Sequence, residues 1–159
     1  MNTKTSAGLL MYRFKNKALE VFIVHPGGPF WKNKDDGAWS IPKGEVNDDE
    51  KEDLLKTAKR EFNEETGIEA SSESFVPLGN VTLKSGKCVH AWAFKGDWSG
   101  VLMCQSFVEI EYPPRSGKFK KFPEVDKASF FSPEIAKKKI NPAQSLLIDR
   151  LALILAKSS

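Results

Sequence analysis

Cysteine is scarce in this chain, and long apolar runs are missing. The two cysteines, Cys88 and Cys104, are too few for a disulfide framework, and their spacing is not that of a zinc site. Both are expected to be reduced and buried, in a cytoplasmic protein. No apolar stretch is long enough to span a bilayer, which excludes a helical membrane anchor and a membrane partner. Met1-Asn2-Thr3-Lys4-Thr5 runs straight into strand-like sequence, without the apolar region of a signal peptide. Repeats and linker-like segments are also lacking, so residues 1–159 are read as a single domain. With 40% apolar and 28% charged residues, the composition is that of an ordinary soluble globular protein.

Net charge is only +3, but it is unevenly spread. Acids dominate from Glu45 to Glu69. Between Arg115 and Lys139, eight Lys or Arg face three acids, Glu124, Asp126 and Glu134. Such a stretch either draws in a polyanion or forms a solvated loop and helix face.

The pattern along the chain predicts mixed strands with a few helices. Ala7–Arg13 and Ala18–Val24 read as strands joined by a turn at Lys15-Asn16-Lys17. His25-Pro26-Gly27-Gly28-Pro29 breaks the chain, and Ala38–Ile41 is a short extended piece before Pro42. Phe75–Leu83, Cys88–Phe94, Met103–Tyr112 and Val125–Phe131 read as further strands. Lys84-Ser85-Gly86-Lys87 supplies a turn between the first two of these. Ser132-Pro133 and Asn141-Pro142 both look like helix starts. The helix predicted over Pro142–Lys157 carries Leu146, Leu147, Leu151, Ile154 and Leu155 as a core stripe, with a dimer contact as the alternative.

The chemistry concentrates in a helix predicted over Asp48–Thr66, with several acids in its first turn to suit the helix dipole. Leu55, Ala58 and Phe62 form its core-facing stripe. Glu61, Glu64 and Glu65, at i, i+3 and i+4, crowd three anionic heads beside that stripe. Like charges at this spacing destabilise a helix by about 0.2–0.5 kcal/mol per pair. A hard divalent cation turns that cost into a binding site, because Mg²⁺ takes oxygen ligands and shares them with substrate phosphates. Gly67 is placed to end the helix in a left-handed conformation.

Gly44-Glu45-Val46 and Arg60-Glu61-Phe62-Asn63-Glu64-Glu65-Thr66-Gly67-Ile68 resemble the Nudix hydrolase signature, G-x5-E-x7-R-E-U-x-E-E-x-G-U, with U a bulky aliphatic residue. Phe62 occupies the first U position. Counting back from Arg60 places the isolated glutamate at Glu52 and the opening glycine at 46, which is Val. Gly44 is therefore the opening glycine, with a two-residue insertion in Asn47–Lys51. The resemblance covers nearly the whole chain and implies an α/β fold, a three-layer α/β/α sandwich around a mixed β-sheet.

The resemblance also implies Mg²⁺- or Mn²⁺-dependent hydrolysis of a nucleoside diphosphate linked to another group. Glu61 and Glu65 are then metal ligands, Glu64 a ligand or the general base, and the Gly44 carbonyl a further ligand. Arg60 orients the carboxylates, paired with Glu52, and Glu52 and Gly67 hold the signature's structure. Lys43, just before the signature glycine, is read as a phosphate contact and Trp39 as a second substrate-binding residue. Trp39-Ser40-Ile41-Pro42-Lys43-Gly44 is similar to the matching stretch of diadenosine tetraphosphate hydrolases and of diphosphoinositol polyphosphate phosphohydrolases. The order Phe107-Val108-Glu109-Ile110-Glu111, basic loop, Glu124-Val125-Asp126 is also similar to the former. One of Glu109, Glu111 or Glu124 is expected to add a metal ligand, with Glu109 and Glu111 on one strand face.

Trp31, Trp39, Trp98 and Phe119 are candidates to stack on a base, each weighed against plain packing. His25 ends a strand where it could face a cleft, while His90 is read as structural. The favoured substrate is a dinucleoside polyphosphate such as diadenosine tetraphosphate. Nucleoside triphosphates, ADP-ribose and RNA 5′ ends stay open, as does a non-catalytic nucleotide-binding role. RNA is motivated by Arg115–Lys121 but lacks the interleaved aromatics of single-strand readers. Both a monomer and a homodimer remain possible.

Overall fold

Strand β1 (Thr5–Lys15) is buried on both faces, and its alternation sorts the core into two layers. The computed structural model describes residues 4–47 and 53–158. Ala7, Leu9 and Met11 point to one side, where they meet Ala58 and Phe62 of helix α1 (Leu54–Thr66). Leu10 and Tyr12 point to the other, against Ala136 of α2 (Pro133–Lys139) and Leu147, Ile148 and Leu151 of α3 (Ser145–Ser158). The result is helix, sheet, helix.

Asn16 and Lys17 both take positive φ, 53° and 70°, and pair β1 with β2 (Ala18–Pro26) through a two-residue turn. The main sheet runs β4 (Val76–Thr82), β5 (Cys88–Lys95), β1, β2, β8 (Val125–Phe131), and β3 (Lys43–Glu45) pairs with the start of β1. The β1–β5 pairing is parallel and the others antiparallel, so the sheet is mixed. No helix of the described residues is long and apolar enough to cross a membrane.

Several elements differ from the sequence expectation. Of the helix expected over Asp48–Thr66, residues 48–52, and with them most of the expected insertion, lie outside the described residues; α1 starts at Leu54, capped by Asp53, whose side chain accepts from the Lys56 N–H at 3.0 Å. Its first turn carries no acid; the acidic charge sits at the cap. Gly67 ends it with φ 79°, as expected, donating to the Asn63 carbonyl at 2.7 Å. The strand expected over Met103–Tyr112 begins only at Phe107. Residues 103–106 are held instead by the end of α1, Met103 N–H to Thr66 O at 3.1 Å and Gln105 N–H to Glu64 O at 2.7 Å. Strand β6 (Phe107–Glu111) then pairs only with β7 (Phe119–Pro123), so part of the expected basic loop is a strand of a separate ribbon.

The last helix starts at Ser145, after a 3-10 turn over Pro142–Gln144. Leu147 and Leu151 are in the core, but Leu146 is exposed and Ile148 takes the buried place. Cys88 and Cys104 are free thiols, as expected, but half-buried rather than buried.

Candidate active site

Antiparallel pairing with β1 fixes the position of Lys43-Gly44-Glu45, with Gly8 opposite Lys43, Ala7 opposite Gly44 and Ser6 opposite Glu45. Gly44 faces α1. A Cβ built there would overlap the Glu61 carboxylate, so the absence of a side chain lets Glu61 lie against the strand backbone. Glu65, one helical turn further on, is only 5% exposed. Its carboxylate accepts the Lys43 backbone N–H.

Charge in this region is held away from water. Burial pushes the Glu65 carboxyl well above the ordinary glutamate range, and Glu61 and Glu124 push it the same way. The Lys43 ammonium and N–H only partly oppose this. Glu61 is raised too, first by desolvation, while Arg60 pulls it down and Glu64 and Glu124 add repulsion. Desolvation, then Lys87, pushes the Lys43 ammonium below its usual range against the pull of Glu65, Glu61 and Glu45.

Arg60 lies alongside this group. Its Nη1 donates to Glu61 Oε1 at 2.9 Å and to both Glu64 oxygens at 3.2 Å. Glu64, with 40% of its side chain exposed, is the most open of the three signature glutamates to water. Glu52, the expected partner of Arg60, lies outside the described residues.

Two hollows meet at this cluster. One, of about 170 Å³, is lined by Pro26, Ser40, Ile41, Lys43, Glu65 and Glu124 among others. The other, of about 370 Å³, is lined by Ser6, Lys43, Gly44, Glu45, Glu61 and Lys87 among others, Glu124 included. Lys43 and Glu124 belong to both. The structure thus brings together Lys43, Gly44, Glu61, Glu65 and Glu124, with Arg60 and Glu64 on the same helix.

Other expected site residues lie elsewhere. Trp39 is a core residue, 5% exposed, not a substrate wall. Its ring makes edge contacts with His25 and Phe131, and its Nε1 donates to Asp35 at 2.7 Å. Trp39 is bridged to Ile140 and packs with it in the core. Glu109 and Glu111 share a face, but it is a face of the β6–β7 ribbon, opposite Lys121 and Phe119. Neither lines the two hollows, and Glu111 accepts from the Arg115 N–H at 3.0 Å.

His25 does not face a cleft. It is fully buried between Asp126, 2.7 Å from Nδ1, and the Lys34 carbonyl, 2.6 Å from Nε2. His90 Nε2 stands 3.7 Å from Cys88 Sγ. Of the other base-stacking candidates, Trp98 packs on Phe22, while Trp31 and Phe119 are exposed. Sequence reasoning missed Ser6 and Lys87. Only their neighbours across β1–β3 and β1–β5 place them at the site, and nothing local marks them.

Carboxylate oxygens are the donors a hard divalent cation takes, although among the described residues no three acidic side chains stand close enough to one point to hold an ion as they lie. Glu61, Glu65 and Glu124 offer oxygen donors; Glu61 and Glu124 add to the raised proton affinity of Glu65, and Glu64 and Glu124 to that of Glu61, a cost that a cation removes. A family model described as the NUDIX domain matches residues 2–151. The chain belongs to the Nudix family. Membership places it among the pyrophosphohydrolases, which generally use a divalent metal.

Solved Nudix structures share the fold. The Caenorhabditis elegans Ap4A hydrolase in a binary complex superposes with a TM-score of 0.69 at 20% identity, over 96% of this chain and 98% of that one. The NUDIX domain of Shewanella oneidensis NrtR, complexed with ADP ribose, gives 0.67 at 14% identity over 98% and 90%. The MutT protein of Methanosarcina mazei Go1 gives 0.59 at 22% over 96% and 95%. No curated protein matches the chain significantly.

Proposed function

We propose that this Nudix protein hydrolyses a phosphate anhydride of a dinucleoside polyphosphate, such as diadenosine tetraphosphate, with Mg²⁺ as its metal. The observation that carries this reading is the place of Lys43. It lines both hollows that border the carboxylates, so a phosphate chain reaching from one hollow into the other would pass it. The fold similarity to an Ap4A hydrolase over nearly the full length of both chains supports the same class.

Glu61, Glu65 and Glu124 would hold the metal, with the Gly44 carbonyl beside them. When bound, the metal neutralises the anhydride and acidifies a water. Glu64, more open to solvent, takes the proton from the attacking water as general base. Arg60 donates to both Glu61 and Glu64 and so fixes the angle between them. The Lys43 ammonium, desolvated and lacking a salt bridge among the described residues, binds a phosphate oxygen as a point charge.

A product-resolved assay with Mg²⁺ tests the proposal. Diadenosine tetraphosphate, ADP-ribose, nucleoside triphosphates and 5′-triphosphorylated RNA are compared side by side. ATP plus AMP released from the first, faster than any other turnover, is the expected outcome. Preference for ADP-ribose, a triphosphate or RNA would replace the substrate, and no turnover of any would overturn the enzymatic reading.

A further inference from the structure

The β6–β7 ribbon stands outside the main sheet, and its two faces carry different chemistry. Its antiparallel register puts Val108 opposite Phe122 and Ile110 opposite Lys120. The bond from the Tyr112 N–H to the Lys118 carbonyl, 2.8 Å, continues that register. Alternation therefore gathers Val108, Ile110, Tyr112, Lys118, Lys120 and Phe122 on one face. Glu109, Glu111, Phe119 and Lys121 fall on the other. Both glutamates of β6 are thus on the second face, and the first presents two lysines with no acid of the ribbon beside them. Followed past the ribbon, the register pairs Ser106 with Glu124, so the first face runs down to a carboxylate of the two hollows.

The loop after β2 completes this face. Gly28 lies against it: a Cβ built there would stand 3.2 Å from Ile110 Cδ1 and 3.9 Å from Phe122 Cβ. Two residues on, the Phe30 ring stands edge-on to Tyr112 with 6.4 Å between centroids, and Tyr112 stands edge-on to Phe122 at the same distance. Lys120 Nζ is 6.0 Å from the Tyr112 centroid. Trp31 follows Phe30, with Lys34 Nζ 5.0 Å from its ring. The acids next in that loop, Asp35 and Asp36, are engaged by Lys139 and Lys138.

The rings are open to water. Phe30 is 51% exposed, Trp31 41% and Tyr112 37%. Edge-on pairs leave ring faces uncovered, and the ammonium groups beside them favour a ligand that is both flat and anionic. Aromatics interleaved with basic residues are missing along the chain, but the fold assembles them in space. Phe30 and Trp31 come from the loop, Tyr112 from the end of β6, and the lysines from β7 and the turn before it.

We infer that this face of the ribbon binds a single strand of nucleic acid. Bases stack on Phe30 and Tyr112, while Lys118 and Lys120 meet the phosphates. Two residues apart on a strand, these lysines are separated by about 6–7 Å, a step that neighbouring phosphates of an extended strand can match. A duplex keeps its bases stacked on each other and offers the rings no face. An acidic peptide would answer the lysines and leave the rings bare. The inference is independent of which anhydride the centre hydrolyses. It goes beyond that reading by giving the ribbon a partner of its own, held at the rim of the site, because the Phe30 loop leaves β2 at Pro26 in the wall of the smaller hollow.

Fluorescence anisotropy with the full chain tests it. The probes are short labelled oligouridylate and oligothymidylate, with a duplex of the same length for comparison. Both single strands should bind more tightly than the duplex. The logarithm of affinity should fall with the logarithm of salt at a slope of about −1.4, the value for two phosphate contacts on a single strand. Lys120→Gln should weaken binding and flatten the slope by about 0.7. Phe30→Ala should weaken binding about five- to a hundredfold, the range for one stacked base, and leave the slope unchanged.

Lys121→Gln and Phe119→Ala, on the opposite face, are the controls and should have little effect. All four positions are exposed, so the melting temperature should stay where it is. Turnover of diadenosine tetraphosphate should be unchanged in Phe30→Ala and Lys120→Gln. No binding of either oligonucleotide, equal affinity for duplex and single strand, or equal losses from the two faces would each overturn the inference. A raised KM for diadenosine tetraphosphate in Phe30→Ala, with oligonucleotide binding unaffected, would overturn it too and give the rings to a nucleoside of the small substrate.

Discussion

The Glu61 carboxylate occupies the space that a side chain at Gly44 would fill. Strand and helix therefore meet where a signature carboxylate lies against a signature glycine, next to the bond from the Lys43 N–H to Glu65. Gly44→Ala should displace Glu61 without unfolding the chain, because the strand's pairing with β1 is untouched. The expected result is about a ten- to hundredfold loss of activity and of Mg²⁺ affinity, the scale seen when a ligand's support is altered. Kinetics and Mg²⁺ titration, beside a circular-dichroism melt, check it; full activity would place the metal away from Glu61.

The Glu64 carboxylate accepts from Arg60 with both oxygens, and it is the most solvent-open of the signature glutamates. Glu64→Gln should lower kcat by about 10²–10⁴, the range for loss of a general base, with the melting temperature little changed. A folded variant that turns over normally would remove Glu64 from that role.

Glu65 gives a pH signature. Its folded carboxyl has a raised proton affinity, so the folded state favours the neutral form. The stability that this preference provides is complete below the unfolded glutamate range and is lost as pH rises through the higher folded value. Metal-free protein should therefore be stabilised by Glu65→Gln at pH 7–8, with the gain shrinking towards about pH 4, near the ordinary glutamate value. Mg²⁺ should raise the wild-type melting temperature more at pH 8 than at pH 5, and this difference should be largely lost in the variant. Thermal melts in chelator and in Mg²⁺ across that range decide the matter; a pH-independent Mg²⁺ effect would separate Glu65 from the metal.

How much of this arrangement was legible depended on sequence separation. The signature helix from Leu54 on, its Gly67 stop and the Glu61/Glu64/Glu65 grouping are local, set by spacings of three and four residues, and were readable. The three layers were implied by the family resemblance, and alternation along β1 sorts its side chains between them. Trp39 misled because it adjoins Lys43 in sequence; its backbone is held by the Lys139 carbonyl and Ile140, about a hundred residues on, which turns the ring into the core. Glu109 and Glu111 misled because strand alternation gives a face but not the sheet to which it belongs, and β6 pairs with β7 alone. Ser6 and Lys87 meet only through the parallel β1–β5 pairing, which no local pattern announces.

Lys43→Ala should raise KM about tenfold or more while changing kcat little, because a phosphate held by a point charge is bound similarly in ground and transition states. Steady-state kinetics with diadenosine tetraphosphate test this. Unchanged KM would return Lys43 to a structural role beside Glu65.

His25 should matter for stability, not turnover. His25→Ala empties the site of a fully buried ring and removes its hydrogen bonds to the Asp126 carboxylate and the Lys34 carbonyl, and should cost about 1–3 kcal/mol. Urea unfolding measures the loss. A large fall in kcat at unchanged stability would give His25 a part in the reaction.

Both feet of the β6–β7 ribbon stand on the site. Gln105 bonds the Glu64 carbonyl on one side, and the Glu124 carbonyl takes the Gly27 N–H on the other. Between these feet the ribbon pairs only with itself, so residues could be added, removed or exchanged there at little cost to the sheet or to the carboxylates. The ribbon is in that sense an interchangeable attachment, through which one hydrolytic centre can be fitted to different cargo while its own geometry is inherited intact.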